Sequence, residues 1–476
     1  MKQFKACVAL LTVFALLMLC GCGGVHKENS SDSAGSAGSL FLAADSSDEE
    51  SECSSAEPIE STDSSKPQGS ATASAGTSSA KSGAASTSSK KASASSASGS
   101  ATNSSSSLPT GAFSLRGLWI SCYELSFAGL DYAGFQKKVD AIMQTAARQG
   151  YNAVFCHVRA LADAYYPSKY FPYSKYLTGT EGVNPGYDPL AYMIRAAKRQ
   201  NLQFHAWINP YRVSTSTTDP AKLSDGNIAK KWLTDGSERA AVSGGGIYFN
   251  PASADAQQLV LNGIEEILQN YDVDGIHFDD YFYPTTSESF DKSTYAAYQK
   301  QTAKPLSLAD WRRANVNVLV SAVYRLCRRY GAVFGISPAA HISTDHSDRN
   351  YNELYADVTL WMKSAGYVDY IIPQLYFGYA YPKEQYRYDN LLKTWCALPR
   401  HSGLKLYIGL GAYKLGVSGS TGSEEWCDSS GNLLARQAAD AKRAKTDGFV
   451  VFSYSATSSA AALNQTEIKN LFDAVR

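Results

Sequence analysis

Two adjacent carboxylates, Asp279 and Asp280, end a short apolar segment and are followed at once by the aromatic run Tyr281–Tyr283. Cleavage of a glycosidic bond needs a group that protonates the leaving oxygen and a carboxylate that attacks the sugar or activates water. Aromatic side chains add broad apolar faces against which a sugar ring can pack. The pattern therefore predicts a carbohydrate-cleaving site in which Asp279 and Asp280 are catalytic. Because side chains alternate along a strand, we expect Asp279 to be the one that shares the space of His277.

Short apolar segments that alternate with helical segments are the elements that must position these carboxylates. The predicted strands are Leu115–Ser121, Ala153–Val158, Leu202–Ile208, Gly275–Asp279, Val333–Ser337, Tyr370–Gln374, Leu406–Leu410 and Gly448–Phe452. The predicted helices are Gly134–Gln149, Pro189–Arg199, Ala254–Asn270, Leu308–Tyr330, Tyr351–Lys363 and Asn432–Lys445. Eight strands, most of them followed by a helix, predict the α/β class and a (β/α)8 TIM barrel.

The carboxyl ends of the predicted strands carry the other candidate residues, because barrels of this type place their chemistry there. Asp163, which follows the second strand, is the candidate for a further catalytic carboxylate. The candidate substrate-binding residues combine aromatic platforms with amide and cationic groups. They are Arg159, Trp207, Asn209, Arg212, Tyr281, Gln374, Tyr376, Tyr413 and Lys414.

Each candidate also has a purely structural interpretation. The paired aspartates could be buried partners of arginines such as Arg116, Arg159 or Arg212, and Asp163 could brace a loop. The chain has 31 tyrosines, so many of them must serve as ordinary packing. The amides at the strand ends would, on the same interpretation, only satisfy hydrogen bonds.

Four histidines, His157, His205, His277 and His341, lie in or just after predicted strands, which raises the question of a metal site. Imidazoles gathered with Asp279 would suit zinc. The first strand, however, has no His-x-His pair of the kind that metal-dependent amidohydrolase barrels use. A hydrogen-bonded core histidine is also commoner in mid-strand. We therefore predict no metal and no other cofactor.

The first 22 residues set the expected compartment. Two lysines precede the apolar run Ala6–Leu19, which is too short for a spanning helix and is typical of an export signal. The run ends in Leu19-Cys20-Gly21-Cys22, which resembles the bacterial lipobox. The resemblance implies that residues 1–21 are a signal peptide and that Cys22 is acylated, with palmitate among the fatty acids. The protein would then be anchored at the extracytoplasmic face of the cell membrane, and a plain secretory signal is the alternative.

Residues 22–107 are mostly Ser, Ala, Gly and Thr, with an acidic patch at Asp45–Glu52. They contain too few large apolar residues to offset chain entropy, so we predict a disordered linker before a catalytic domain at 108–476. The chain has 44 basic and 44 acidic residues, and this balance argues against a nucleic-acid partner. The five cysteines of the catalytic domain show no CxxC spacing and are odd in number, so neither a zinc site nor a complete disulfide framework is indicated. We expect most of them to be small core residues.

Seven motifs follow one another along the catalytic domain: Arg116–Ser121, Phe204–Val213, Asp274–Pro284, Asp310–Arg313, Phe334–Pro338, Val368–Tyr376 and Tyr407–Lys414. In this order they resemble the glycosyl hydrolase-like 10 family of bacterial envelope proteins. The resemblance implies a TIM-barrel glycoside hydrolase, often a lipoprotein, that cuts peptidoglycan glycan strands stripped of their peptides. One departure lies before Val158-Arg159, where the family motif has Gln and this chain has His157.

A looser similarity links the Asp274–Tyr281 motif to chitinase-type barrels, whose fourth strand ends Asp-Gly-x-Asp-x-Asp-x-Glu. In that alignment Asp279 matches the second inner aspartate, but Tyr281 stands where the glutamic acid should be. A mechanism with two carboxylates is therefore simpler here than one assisted by the substrate's N-acetyl group.

Two functional classes remain. The preferred hypothesis is a membrane-anchored glycoside hydrolase of the cell envelope that acts on peptidoglycan. The alternative is a glycan-binding surface lipoprotein without catalysis, because a second catalytic carboxylate is hard to identify from sequence alone.

Overall fold

Eight parallel strands close into a barrel in the computed structural model, which describes residues 113–476. In chain order the strands are β1 (Leu115–Ile120), β2 (Ala153–Arg159), β3 (Gln203–Ile208), β4 (Arg212–Ser214), β5 (Ala240–Ser243), β6 (Gly246–Phe249), β7 (Gly275–Phe278), β8 (Val333–Ile336), β9 (Tyr370–Ile371), β10 (Lys405–Leu410) and β11 (Gly448–Val451). Around the barrel the order is β1-β11-β10-β9-β8-β7-β3-β2, and β4, β6 and β5 form a separate antiparallel sheet. The predicted (β/α)8 barrel is confirmed.

Helices follow most barrel strands. They are α1 (Tyr132–Gln149), α2 (Lys175–Thr178), α3 (Pro189–Arg199), α4 (Ile228–Thr234), α5 (Ala254–Asn270), α6 (Lys292–Gln301), α7 (Leu308–Tyr330), α8 (Arg349–Asn352), α9 (Val358–Lys363), α10 (Tyr388–Ala397), α11 (Leu433–Arg443), α12 (Tyr454–Thr457) and α13 (Ala462–Val475). Short 3-10 turns occupy Pro220–Lys222, Glu384–Tyr386, Ala412–Lys414 and Glu424–Cys427. No helix within residues 113–476 is long and apolar enough to cross a membrane.

Local signals explain where the long helices begin and end. Ser307 accepts a hydrogen bond from the backbone of Asp310 at the start of α7, and Gly331 ends that helix with a φ of 77°. Ser253 caps α5 in the same way by accepting from the backbone of Ala256. A side-chain cap satisfies a backbone N–H that the helix cannot, and a glycine takes the left-handed conformation at little cost.

All eight predicted barrel strands are confirmed, with ends that shift by a few residues. The largest shift is at β9, which stops at Ile371 where the prediction ran to Gln374. Pro373 lacks a backbone N–H and cannot continue the ladder, although its carbonyl still accepts from Gly409 at 2.9 Å. Gln374 keeps only isolated bridges, to Ala339 and Gly409.

The predicted helix Tyr351–Lys363 is wrong. The chain forms two short helices, α8 and α9, that are separated at Tyr355, whose φ is 53°. Asp357 then caps α9 by accepting from the backbone of Leu360 at 3.1 Å. A positive φ costs a residue with a Cβ free energy, so apolar spacing alone does not predict such a break.

The barrel interior is filled by stacked rings that form a floor beneath the strand ends. The Tyr370 hydroxyl lies 3.1 Å from Nδ1 of His205 and 3.3 Å from Nδ1 of His277, and the Trp119 indole donates to Nε2 of His277 at 3.2 Å. A Cβ on Gly335 would lie 2.1 Å from the Tyr370 ring, so the glycine makes room for it. Within residues 113–476, no group of three or more His, Cys, Asp and Glu side chains is arranged to hold a metal.

The predictions made for residues 1–112 lie outside the described residues. They are the signal peptide at 1–21, the acylated Cys22 and the linker at 22–107. The predicted domain boundary at residue 108 lies there too, so these predictions remain as they were. The five cysteines from Cys122 to Cys427 are free thiols.

Candidate active site

Asp279 lies at the barrel mouth, by which we mean the end of the barrel where the carboxyl ends of the strands meet. It follows β7 directly and is only 4% exposed. Its carboxylate accepts hydrogen bonds from Nδ2 of Asn209 at 3.0 and 3.2 Å and from the Trp207 indole at 3.3 Å. The backbone N–H of Tyr281 completes this set at 3.4 Å. Every one of these partners is a donor.

Asn209 holds Asp279 in place because its own position is fixed on both sides. Its Oδ1 accepts from the backbone of Arg212 at 2.9 Å and of Tyr211 at 3.3 Å, while its Nδ2 donates to Asp279. The residue is completely buried at the end of β3. Strand pairing sets β3 beside β7, with Ile208 level with Phe278, so the two residues that follow these strands are neighbours.

Two opposing effects set the charge state of Asp279. Burial raises its pKa above the usual range, while the positive charge of Arg212 and the hydrogen bond from Asn209 act to lower it. The Arg212 guanidinium lies over the Tyr281 ring, 4.3 Å from the ring centre. The mouth therefore holds a desolvated carboxylate next to an arginine, and such an environment is typical of functional carboxylates.

Asp280 takes part in a second group of contacts on the other side of β7. Its Oδ1 accepts from Nε2 of Gln374 at 3.2 Å, and the same nitrogen donates to the Ser337 carbonyl at 2.9 Å. Like Asp279, it is buried, at 7% exposed. The argument from alternating side chains does not reach this pair, because β7 ends at Phe278. Both carboxylates contact side chains from neighbouring strand ends.

Asp163 and Arg159 lie in and beside the loop that follows β2. Asp163 accepts from the backbone of Leu161 at 3.4 Å and from the Ser174 hydroxyl, and burial raises its pKa to about 6. Arg159 donates to the Pro210 carbonyl at 3.2 Å and covers the Phe171 ring at 4.6 Å. Among the described residues, the hydrogen-bond partners of Asp163 belong to this loop. They are the contacts of a group that braces the loop, and its catalytic role stays a prediction.

The candidate aromatic platforms form two sets. Tyr376 stacks on Phe452 with ring centres 5.8 Å apart and meets Tyr413 edge to face at 5.8 Å. Lys414 carries its ammonium 5.8 Å from the Tyr413 ring centre. Trp207 lies across the mouth, where His157 stacks on it at 3.3 Å and covers one of its faces. The structure thus brings the predicted residues to one end of the barrel, and their roles toward a sugar stay predictions.

Two further polar residues lie at the mouth. Glu124 joins the loop after β1 to the end of β11, because it accepts from the Ser121 backbone and from the Ser453 hydroxyl, both at 2.6 Å. His157 was considered only as a metal ligand and as a departure from the family motif. Its inward position at the end of β2, beside Trp207, was the available signal.

Three comparisons with known proteins agree with this architecture. The model of the family described as Glycosyl hydrolase-like 10 matches residues 114–428. "Glycosyl hydrolase YngK" of Bacillus subtilis is 37% identical over 323 residues, which are 63% of this chain and 61% of that protein. "Glycosyl hydrolase DigH" of Escherichia coli K12 is 35% identical over 292 residues, which are 56% of this chain and 64% of that protein. The chain thus spans less than two thirds of both relatives.

The solved structure of the PgaB (BpsB) glycoside hydrolase domain from Bordetella bronchiseptica superposes with a TM-score of 0.51 and 12% identity. The match covers 74% of this chain and 98% of that domain. At this identity the likeness concerns the fold.

Proposed function

The chain belongs to the glycosyl hydrolase-like 10 family, and from this premise we propose that it is a membrane-anchored, extracytoplasmic glycoside hydrolase. Its proposed substrate is the glycan strand of peptidoglycan from which the peptides have been removed. The family match and the two relatives named glycosyl hydrolases support the reaction class. The lipobox-like Leu19–Cys22 supports the anchor, and the family resemblance of the motifs supports the substrate.

The observation that carries the proposal is the buried carboxylate of Asp279, held by donors at the mouth with a second carboxylate beside it. We assign the ionised role to Asp279. Burial raises the pKa of Asp279, but its three donors, Asn209, Trp207 and the Tyr281 backbone, favour the carboxylate without a proton. The charge of Arg212 favours the same form. Such a carboxylate stabilises, or attacks, the sugar carbon as positive charge develops there.

Asp280 is then assigned as the proton donor to the leaving oxygen. The Gln374 amide holds its Oδ1 and is itself fixed on the Ser337 carbonyl, so the carboxyl group keeps one orientation. A positioned acid or base of this kind accounts for about 10²- to 10⁴-fold in rate. The aromatic rings of Tyr376 and Tyr413 supply the flat surfaces for neighbouring sugars.

The test uses the full chain and its Asp279→Asn and Asp280→Asn variants. Each is incubated with intact peptidoglycan and with strands stripped by an amidase, and the soluble fragments are measured by mass spectrometry. Asp274→Asn is the matched control, since Asp274 precedes β7 at the opposite end of the barrel and accepts from the Phe204 backbone at 2.8 Å. An asparagine oxygen can still accept that bond.

We expect fragments from the stripped strands with wild type and with Asp274→Asn, and a loss of about 10²- to 10⁴-fold with either mouth variant. Equal unfolding curves for the four proteins would exclude misfolding as the cause. Binding of the strands by wild type without any products would contradict the proposal. That result would favour the glycan-binding surface lipoprotein instead.

A further inference from the structure

The guanidinium of Arg212 has an unmade hydrogen bond at the barrel mouth, although the charge of Asp279 stabilises it. Its Nε is buried and has no hydrogen-bond partner, and no carboxylate within residues 113–476 forms an ion pair with it. The side chain is held by the Tyr281 ring beneath it, while the backbone of Arg212 is bound by Asn209. Arginine presents five N–H donors in a rigid planar fork, so this arrangement leaves a fork without an acceptor.

His157 contributes a second donor without an acceptor. Its Nδ1 accepts the backbone N–H of Cys122 at 3.2 Å, which places the ring proton on Nε2. Burial and the charge of Arg212 hold the pKa of His157 well below its usual range, so the ring is neutral. Nε2 is buried and has no partner among the described residues. An unmade hydrogen bond from a buried group is costly, and a ligand that accepts it recovers this free energy.

Both donors adjoin the carboxylate that the proposed reaction uses. His157 stacks on Trp207, which donates to Asp279, and Arg212 lies on Tyr281, whose backbone donates to Asp279. The Asp279 carboxylate accepts hydrogen bonds from Asn209, Trp207 and the Tyr281 backbone within residues 113–476. Arg212 is not one of these donors, so its N–H groups stay available.

Arg159 differs from Arg212, although one of its nitrogens also lacks a partner. It is enclosed at 1% exposed between the Phe171 ring and the Pro210 carbonyl, whereas Arg212 is partly exposed. Burial also lowers the pKa of Arg159 to about 10. Of the two, Arg212 is the arginine that a ligand at the mouth can reach.

We propose that Arg212 and His157 form a subsite that binds a carboxylate carried by the glycan. This subsite lies next to the position of the sugar whose glycosidic bond is cleaved at Asp279. The inference rests on the proposed function. A planar carboxylate matches the arginine fork and neutralises its charge, which a sugar hydroxyl cannot do. Removal of a peptide by amide hydrolysis leaves a free carboxylate on the sugar that carried it. The subsite therefore separates stripped strands from peptide-bearing and from uncharged glycans.

The experiment compares one batch of stripped strands in two forms, with free carboxylates or with the same carboxylates converted to methylamides. The readout is the ratio of kcat/KM on the acid form to that on the amide form, together with equilibrium binding of both forms. The proteins are the full chain, Arg212→Met, Arg212→Lys and His157→Gln. Arg325→Met is the control, since Arg325 is an exposed arginine on the outer helix α7.

We expect wild type and Arg325→Met to prefer the acid form by about 10- to 100-fold, as a charge-assisted pair would give. Arg212→Met brings the ratio close to one. Arg212→Lys keeps the charge without the fork and gives an intermediate ratio, and His157→Gln lowers the ratio by less. Added salt reduces the preference of the wild type.

Equal rates and equal binding for the two forms with wild type would overturn the subsite, as would an Arg212→Met variant whose ratio stays at the wild-type value. Failure of the proposed function is a separate result, since it appears as no cleavage of either form. If neither form is cleaved, the binding data still show whether the carboxylate subsite exists. Acid-selective binding that disappears in Arg212→Met supports the subsite, and binding without selectivity contradicts it.

Discussion

Two arginines of this protein, the buried Arg312 and the partly exposed Arg212, lie beside an aspartate and over tyrosine rings, yet their surroundings differ. Arg312 is 0% exposed, and its five N–H groups find acceptors in Asp291, the carbonyls of Thr286 and Ser287, and the Tyr355 hydroxyl. At the barrel mouth Arg212 makes no side-chain hydrogen bond within residues 113–476, and its Nε is buried without a partner.

The difference separates structural from functional polar groups. A buried charge whose donors are all satisfied joins parts of the fold, and it leaves nothing for a ligand to bind. A group with an open donor costs stability in the free protein and gains a partner when ligand binds. The Arg312 cluster consists of Arg312, Asp291, Thr286, Ser287 and Tyr355. Its contrast with the barrel mouth can be tested by substitution.

The largest expected effect is on stability, from Arg312→Met. The substitution leaves Asp291 as an uncompensated charge, since both are 0% exposed in their ion pair. We expect a loss of about 3–5 kcal/mol in the free energy of unfolding, measured with urea. Adding Asp291→Asn should restore part of it. Arg212→Met, in contrast, should change the unfolding free energy by less than about 1 kcal/mol, and equal losses for the two arginines would remove the contrast.

The pH dependence of stability tests whether Asp163, in the loop after β2, has a structural role, like the Arg312 cluster, or a catalytic one. Burial raises its pKa from 3.8 to about 6, so the folded protein keeps this proton to higher pH than the unfolded chain. Stability should therefore fall as pH rises from about 4 to about 6, by up to about 3 kcal/mol for this one group. In Asp163→Asn this dependence disappears, so the variant gains stability relative to wild type toward pH 7.

Urea unfolding at several pH values measures that difference. Parallel curves for Asp163→Asn and wild type, together with a complete loss of cleavage, would return Asp163 to the catalytic pair. Curves whose separation changes with pH, together with cleavage retained by Asp163→Asn, support its role in the loop.

Asn209→Asp alters the charge at the barrel mouth. Its side-chain oxygen can still accept from the backbone of Tyr211 and Arg212, but a second negative charge faces Asp279. A like charge raises the pKa of Asp279 further. Because the reaction uses ionised Asp279, activity rises as pH passes this pKa, and the acid limb of the rate profile should move to higher pH. Asn184→Asp on an exposed loop is the control and should leave the limb in place.

The smallest effect concerns a hydroxyl without a partner. The Tyr211 hydroxyl is buried and unsatisfied, whereas the equally buried Tyr388 donates to the Gln437 carbonyl at 2.8 Å. Tyr211→Phe should be neutral or stabilising, while Tyr388→Phe should cost about 1 kcal/mol. Thermal unfolding of both variants checks the pair. A larger loss for Tyr211→Phe than for Tyr388→Phe would show that its hydroxyl has a partner after all.

The barrel could be predicted from sequence because its strands are short, wholly buried apolar runs separated by amphipathic helices. β2, for example, is buried at all seven positions. The antiparallel sheet of β4, β5 and β6 was missed, since its strands have only three or four residues and no sustained pattern. Its Gly244-Gly245 turn, with φ values of 52° and 81°, was the available signal for a hairpin.

The position of the mouth could also be predicted, because parallel strands bring Asn209 and Asp279 to the same end. The different surroundings of Arg159 and Arg212 could not be predicted, since in the sequence both come after a predicted strand. The pairing of β2 with β3 shifts register between His157 and Arg159, and a shift of this kind re-aims a side chain in a way that alternation does not reveal. Nε2 of His157 carries the ring proton because Nδ1 accepts from the backbone of Cys122. Cys122 is 35 residues away in the chain, so this contact could not be predicted from local sequence.

The most direct test of the central claim is cleavage of stripped, end-reduced glycan strands in ¹⁸O-labelled water, with wild type and Asp279→Asn, followed by mass spectrometry. If the mouth around Asp279 hydrolyses a glycosidic bond, each new reducing end made by wild type carries one ¹⁸O, and Asp279→Asn makes almost none of it. New ends that lack the label, or the same labelled products formed equally fast by Asp279→Asn, would contradict the account.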